Sequence, residues 1–334
     1  MVYIIAEIGN NHNGSIDKCK LLIDAAAKTG ANAVKTQSFT GRDICTPKLL
    51  TSDYPNWNTK NYRYWYEFAD SIALPLEAHQ EIINYTNELG LDFITTPVSP
   101  KIVEFLETLD GISQYKVASM DLTNFDLIKA ISSTKKPVIV STGMSDLSEV
   151  DAAINLLFNS KLSILHCISD YPLNPKNAFL KNIEILKNKY PNYKIGFSDH
   201  SLGNELPIMA MSMGAEIIEK HFTLSRSDQD SAEHHFSMEL EELRDLVDWT
   251  RIIENIKVQE GWCRSEEESE GKRQYRRSFH YNKNLQKGHI LQKSDIVFLR
   301  PGNGISYNEL KKVLGKPLNK TIKAYDNCSL SDFE

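Results

Sequence analysis

Residues 194–221, KIGFSDHSLGNELPIMAMSMGAEIIEKH, hold one period of the pattern that decides the fold. A short run with an apolar centre (194–199) leads into a helical stretch, Asn204–Met213, and then into a second short run (216–221). Runs of the same kind recur at 2–7, 33–37, 92–97, 114–119, 137–142 and 162–167, which brings the candidate strands to eight. Amphipathic stretches lie between them, among them Ile16–Lys28, Leu76–Leu89, Pro100–Leu109 and Leu147–Phe158, and Glu239–Asn255 closes the series. Short apolar runs alternating with helical periodicity are the signature of βα units around a parallel sheet, so the fold class is α/β. Eight such units in about 250 residues suit a closed (β/α)8 TIM barrel better than an open doubly wound sheet. No GxGxxG or GxxxxGK follows any strand.

The 38–75 stretch breaks the regular spacing and is rich in Trp, Tyr and Asn, as expected of a long loop over the catalytic face of a barrel. The barrel is expected to occupy residues 1–255. Residues 256–276 carry Glu266-Glu267-Glu268, Lys272-Arg273 and Arg276-Arg277 with few apolar anchors and read as a linker. Residues 277–334 then change to short strands and Gly/Pro turns, a small β-rich module that is marginal alone.

Composition narrows the function. With 41% hydrophobic and 25% charged residues in 334, the chain has enough apolar material for a large core and is not a disordered protein. The net charge of −6 gives no bulk attraction for nucleic acid or an acidic membrane surface, so an anionic ligand must be gripped by a local cluster of positive groups. The five cysteines (Cys19, Cys45, Cys167, Cys263 and Cys328) are odd in number and far apart, as expected of reduced thiols. The first apolar run meets Glu7 too early for a signal peptide, and no stretch approaches the ~18 apolar residues of a membrane span. The expectation is a soluble cytoplasmic enzyme.

In a barrel the catalytic groups come from the C-terminal ends of the strands. Read there, the chain offers Glu7, Lys35 and Gln37, Thr96, Lys116 with Ser119 and Asp121, Ser141, Ser169 and Tyr171 beyond His166-Cys167, Ser198 with His200, and Glu219 with His221. Polar groups in apolar strands cost several kcal/mol unless partnered, so this concentration implies a buried polar site. Lys35 and Lys116 with the hydroxyls of Thr96, Ser119, Ser141 and Ser198 are what a phosphate ester needs, two compact charges and several neutral donors. His200 and His221 lie one βα unit apart, on adjacent strands. They read either as core histidines or as two ligands of one divalent metal. Glu233-His234-His235 is a weaker metal candidate, because adjacent loop histidines are usually solvated.

On these residues the chain resembles the sialic acid (nonulosonic acid) synthase family, the phosphoenolpyruvate-dependent synthases of N-acetylneuraminate, legionaminate and pseudaminate. The matching motifs run in order from end to end. They are Ala6-Glu7-Ile8-Gly9-Asn10-Asn11-His12, Val34-Lys35-Thr36-Gln37, Thr96-Pro97, Tyr115-Lys116, Ser141-Thr142-Gly143-Met144, His166-Cys167 with Tyr171-Pro172, Ser198-Asp199-His200, Glu219-Lys220-His221-Phe222 and Arg300-Pro301-Gly302-Asn303-Gly304. The resemblance implies a (β/α)8 barrel followed by an antifreeze-like domain, in a domain-swapped homodimer. It implies condensation of phosphoenolpyruvate with an N-acylated hexosamine, such as N-acetylmannosamine or a 2,4-diacetamido-trideoxyhexose, with C–O cleavage and release of phosphate.

The resemblance further implies that Lys35, Thr96, Lys116, Ser119, Ser141 and Ser198 bind phosphoenolpyruvate. Glu7, Glu219 and Asp121 would be catalytic, and Gln37, Tyr171, Glu233 and Arg300 would contact the sugar. His200 and His221 would hold the cofactor, a divalent metal, Mn2+ or Mg2+. Three positions depart from the pattern. Asp121 stands where many members have the glutamate of a Ser-Gly-Glu run, Ser169 where some have Asn, and Glu233 where they have Asp. A sugar-contacting asparagine is expected among Asn56, Asn58 and Asn61. Two rivals remain at this stage: a Schiff-base aldolase using Lys35 or Lys116, and a scaffold barrel carrying an ice- or glycan-binding module.

Overall fold

A computed structural model describes residues 2–53, 59, 62–157, 161–229, 231, 233–256 and 261–333. The eight strands are β1 (Tyr3–Gly9), β2 (Ala33–Ser38), β3 (Asp92–Pro97), β4 (Gln114–Val117), β5 (Val138–Ser141), β6 (Leu162–Cys167), β7 (Lys194–Asp199) and β8 (Ile217–His221). All neighbours pair in parallel, and β8 returns to β1 to close the barrel. The (β/α)8 expectation holds.

Helices fill the crossovers: α1 (Ile16–Thr29), α2 (Gly41–Ile44), α3 (Trp65–Ile72), α4 (His79–Glu88), α5 (Pro100–Leu106), α6 (Phe125–Ser133), α7 (Leu147–Leu156), α8 (Lys181–Lys189), α9 (Glu205–Ser212) and α10 (Leu240–Asn255). Their starts are legible locally. Ser15, Ser99, Asn124 and Asp146 each accept a backbone N–H at a helix N-terminus, which satisfies one of the donors left unpaired there. The expected helix at Leu76–Leu89 is interrupted, because Leu76–Ala78 forms a tighter 3₁₀ turn before α4. The 38–75 insertion contributes α2 and α3, and Phe39, Phe68, Ala69 and Ile72 pack with Val98 in a small core of their own.

Strand alternation sorts the side chains into two sets. One set (Ile4, Ala6, Val34, Phe93, Val117, Val140, Ile164, Phe197 and Ile218) joins the helices in the main core. The other points into the barrel, where Ile5, Ala33, Ile94, Ile139, Leu165 and Ile217 form an apolar layer. Gly196 belongs to that layer, and a Cβ there would run into the Ile217 carbonyl and the Leu165 side chain. Two residues further along most of these strands the inward positions turn polar: Glu7, Lys35, Thr96, Ser141, Cys167, Ser198 and Glu219. The barrel floor is therefore oily and its upper layer charged.

The chain divides into two compact units, Met1–Ile256 and Lys257–Glu334. The second has its own core, including Phe279, Tyr281, Leu291, Ile296, Ile305, Leu318 and Phe333. Its antiparallel pair is formed by two strands, β9 (Ser278–Tyr281) and β10 (Ile296–Leu299). The 256–276 stretch, expected as a plain linker, contains a helix, α11 (Glu266–Tyr275). Ser265 caps it and three glutamates occupy its first turn, where negative charge suits the helix dipole. A further short helix, α12 (Tyr307–Leu310), follows β10. Among the described residues no helix is long and apolar enough to cross a membrane.

Candidate active site

The upper layer is a buried network of two lysines and two glutamates. Register places Glu7 beside Lys35 on one flank and His221 on the other, with Ser198 opposite Glu219. Lys35 Nζ lies 2.7 Å from Glu7 Oε2 and 3.8 Å from Glu219 Oε2, and it donates to Thr96 Oγ1 at 3.3 Å. Lys116 Nζ donates to Ser141 Oγ at 2.6 Å and stands 3.6 Å from Glu219 Oε1. Ser198 donates to the same Glu219 oxygen at 2.9 Å. Seven residues expected at the site, from seven different strands, thus converge.

The two carboxyls are not equivalent. Burial pushes the Glu7 carboxyl up from the ordinary range, although Lys35 and His221 pull it down. Burial opposes ionisation of Glu219 as well, but Lys116, Lys35 and the Ser198 hydroxyl outweigh it and hold that carboxyl below its ordinary value. The lysines differ too. Burial disfavours both ammonium groups, and at Lys35 the two carboxylates more than compensate. At Lys116 burial prevails, aided by repulsion from Lys35, and the pKa falls. The site therefore holds one carboxyl biased toward the acid form beside one kept ionised, the arrangement used to divide acid and base work.

The histidines stand next to this network. The rings of His200 and His221 have centroids 5.4 Å apart. His200 Nδ1 lies 2.8 Å from the Ile168 carbonyl, which can only accept, so Nδ1 carries a proton and in the neutral ring the lone pair is on Nε2. His221 Nδ1 is buried without a hydrogen bond, with Glu233 Oε2 at 3.4 Å. Two imidazoles, one with its ring fixed by a carbonyl behind it and one with an unsatisfied buried nitrogen, fit a divalent ion. Among the described residues no group of three or more His, Cys, Asp or Glu could close around a metal. An ion held by the two imidazoles would complete its coordination with oxygens of water and substrate.

Around the histidines lies the region expected to meet the sugar. The Tyr171 ring packs on His200 with centroids 4.2 Å apart and on Phe236 at 5.2 Å. Glu233 accepts from the Asn10 backbone N–H at 2.9 Å and from Asn10 Nδ2 at 3.3 Å. Burial opposes its ionisation, yet His221 and Asn10 hold its pKa at about 2. Gly9 makes this possible: its φ is +53°, and a Cβ there would collide with Glu233 Oε2. Asn10 also reaches Gln37 Oε1 at 3.5 Å.

Other candidates stand further out. Ser119 accepts from the Gly143 N–H at 3.0 Å, on the rim of the network. Asp121 accepts from Asn124 at 3.2 Å, and no described contact joins it to the lysines or glutamates. Arg300 lies in the second unit with its guanidinium over the Tyr275 ring. Of the weaker metal candidate, His235 is exposed as expected, but His234 is buried and its Nδ1 lies 2.7 Å from Thr223 Oγ1. Asn56, Asn58 and Asn61 lie outside the described residues. Four residues gained a place that the sequence alone had not given them. Asn10 links Gln37 to Glu233. Cys167 faces inward beside Ser119 and His200. Lys220 and Asp199 form a buried pair behind the histidines.

A profile of the NeuB family matches residues 22–260, and one of the SAF domain matches residues 276–324. The N,N'-diacetyllegionaminic acid synthase of Legionella pneumophila is 34% identical over 329 residues, which cover 96% of this chain and 92% of that one. The pseudaminic acid synthase of Campylobacter jejuni is 33% identical, with 99% of this chain and 96% of that one covered. The crystal structure of N-acetylneuraminic acid (sialic acid) synthetase from Leptospira borgpetersenii superposes with a TM-score of 0.71 at 30% identity, over 81% of this chain and 90% of that one. A closed barrel with this upper layer, followed by a SAF domain, defines a synthase of the sialic acid (nonulosonate) class. The chain belongs to the NeuB family.

Proposed function

We propose that this chain condenses phosphoenolpyruvate with the open-chain aldehyde of an N-acylated hexosamine, forming a nonulosonic acid and inorganic phosphate. The observation that carries this reading is the convergence of Lys35 and Lys116 with Thr96, Ser141 and Ser198 at one end of the barrel, beside the paired His200 and His221. Lys35 and Lys116 would bind the phosphate and carboxylate of phosphoenolpyruvate, with Ser119, Thr96, Ser141 and Ser198 as neutral donors. Their partners Glu7 and Glu219 currently balance the two lysines, so the substrate's charge is best accommodated with Glu7 protonated.

Carbon 3 of phosphoenolpyruvate attacks the sugar aldehyde, and Glu7 gives its proton to the aldehyde oxygen as that becomes a hydroxyl. Carbon 2, left electron-poor, takes up water, whose proton passes to the ionised Glu219. The resulting tetrahedral carbon collapses to the keto acid by breaking the C–O bond to phosphate, and the proton of its new hydroxyl leaves with the inorganic phosphate. A divalent ion held by His200 and His221, Mn2+ or Mg2+, supplies Lewis acidity toward the aldehyde oxygen when bound. Gln37, Tyr171 and Glu233 orient the sugar, and Asp121 contributes a carboxyl at the rim.

Arg300 would be delivered by the second unit of a partner chain in a swapped homodimer. Exposed apolar side chains after successive strands, Met120, Met144, Phe179 and Leu202, support such a cover. Mixing Arg300→Ala with His221→Ala protein restores activity if the site is shared, because each mixed dimer then has one complete site. No regained activity, with mixed dimers demonstrated, contradicts sharing. The free thiols support a reducing compartment, the cytoplasm, as the enzyme's location.

The aldolase alternative gains no support from the relatives. The experiment that separates the two is phosphate release with phosphoenolpyruvate and a panel of N-acylated hexosamines. Release that depends on one of the sugars supports the synthase. No release with any of them, together with borohydride trapping of an imine on Lys35 or Lys116, supports the aldolase.

A further inference from the structure

We propose that Lys220 and Asp199 are positioning residues that aim the candidate metal ligands His200 and His221 from behind the barrel wall. The inference rests on the reading of those histidines as metal ligands.

Along β8, Glu219 and His221 point into the barrel, so Lys220 between them points outward into the helix layer. It is 1% exposed there, and so is Asp199, its register partner on β7. A buried ammonium in an apolar layer is costly, and breaking such a pair by removing one partner is strongly destabilising. An ion pair of this kind can nevertheless often be exchanged for well-packed apolar side chains with no loss of stability. Stability alone is thus a weak reason for its presence.

Its bonding pattern supplies a better one. Lys220 Nζ lies 2.5 Å from Asp199 Oδ2 and also donates to the Ser201 carbonyl. Asp199 Oδ1 accepts from the Ser201 N–H at 3.0 Å, and Oδ2 accepts from Ser201 Oγ at 2.8 Å. These four bonds clamp the residues on either side of His200 to each other and to β8. The His200 side chain takes no part in the clamp and is directed toward the Ile168 carbonyl at 2.8 Å. One outward-facing lysine therefore ties the turn that carries His200 to the strand that carries His221. The distance between the two imidazoles is set by a rigid link on the side opposite the substrate. Groups behind metal ligands commonly change metal affinity about 10- to 100-fold when removed.

The test uses the full chain freed of metal and follows Mn2+ binding by electron paramagnetic resonance without substrate. Thermal unfolding is measured on the same samples. His200→Ala is the control for the underlying reading: if it binds Mn2+ as the wild type does, the metal reading fails and the positioning claim with it. Lys220→Met tests the clamp directly. Should it not fold, the double variant Lys220→Met/Asp199→Leu replaces the ion pair with apolar groups and carries the test. Ser201→Ala removes one bond and no charge. The expected result is a Kd for Mn2+ raised about 10- to 100-fold in the double variant, at an unchanged or higher unfolding temperature, with a smaller rise for Ser201→Ala. Wild-type Mn2+ affinity in either variant would overturn the proposal and leave the pair a purely structural feature.

Discussion

Two layers of the barrel interior lie a single strand repeat apart and do opposite things. The lower one (Ile5, Ala33, Ile94, Ile139, Leu165 and Ile217) is apolar and fills space. The upper one (Glu7, Lys35, Thr96, Lys116, Ser141, Ser198 and Glu219) is equally buried but holds two ammonium groups against two carboxyls. The first gains from leaving water and the second loses. The contrast teaches that the fold is supported from below, so the charged layer is free to be arranged for chemistry.

That division can be broken by a matched pair of substitutions. Leu165→Ala should cost about 2–5 kcal/mol of stability through the cavity it leaves while barely changing the KM for phosphoenolpyruvate. Lys116→Met should cost less stability than that, because burial and Lys35 already disfavour the ammonium and Glu219, losing its main counter-charge, can take up a proton. It should lower kcat/KM for phosphoenolpyruvate about 10- to 200-fold, the equivalent of a charge-assisted bond worth about 1.5–3 kcal/mol. Denaturant unfolding and steady-state kinetics on both variants check this. The account of two separate layers fails if Lys116→Met unfolds the barrel or Leu165→Ala weakens phosphoenolpyruvate binding.

A smaller effect concerns pH. Burial lowers the His12 pKa from 6.5 to about 4. His12 is fully buried, and its Nδ1 accepts the Gly14 N–H at 3.1 Å. Because the folded value is the lower one, the unfolded chain takes up the proton first. The contribution of neutral His12 is complete above about pH 6.5 and is lost as the pH falls toward 4, amounting to about 3 kcal/mol. In His12→Asn the stability of the first unit should fall less over that window. An unchanged pH profile would mean that other groups govern it.

Much of this was legible in the sequence, for physical reasons. Strands covered on both faces read as short apolar runs, so the barrel could be counted, and so many charged residues together at the ends of such runs marked a buried polar site. Lys35, Lys116, Glu7 and Glu219 stood out in this way. Cys167 has the same parity but looks apolar, so it gave no signal of its place beside His200. Lys220 and Asp199 also sit in strands, but sequence does not show that two outward-facing charges on neighbouring strands will pair. The helix at Glu266–Tyr275 buries no apolar face, and only Ser265 followed by three glutamates marked its start. Asp121, read just beyond β4, makes no described contact with the lysine and glutamate network, and Arg300 was brought forward by resemblance.

The central claim is that the upper layer breaks the C–O bond of phosphoenolpyruvate after carbon 3 has joined the sugar. Turnover of phosphoenolpyruvate carrying 18O in the bridging position, analysed by mass spectrometry of both products, tests it most directly. The account predicts that the label leaves in inorganic phosphate. Retention of the label in the keto acid would mean P–O cleavage and would contradict it.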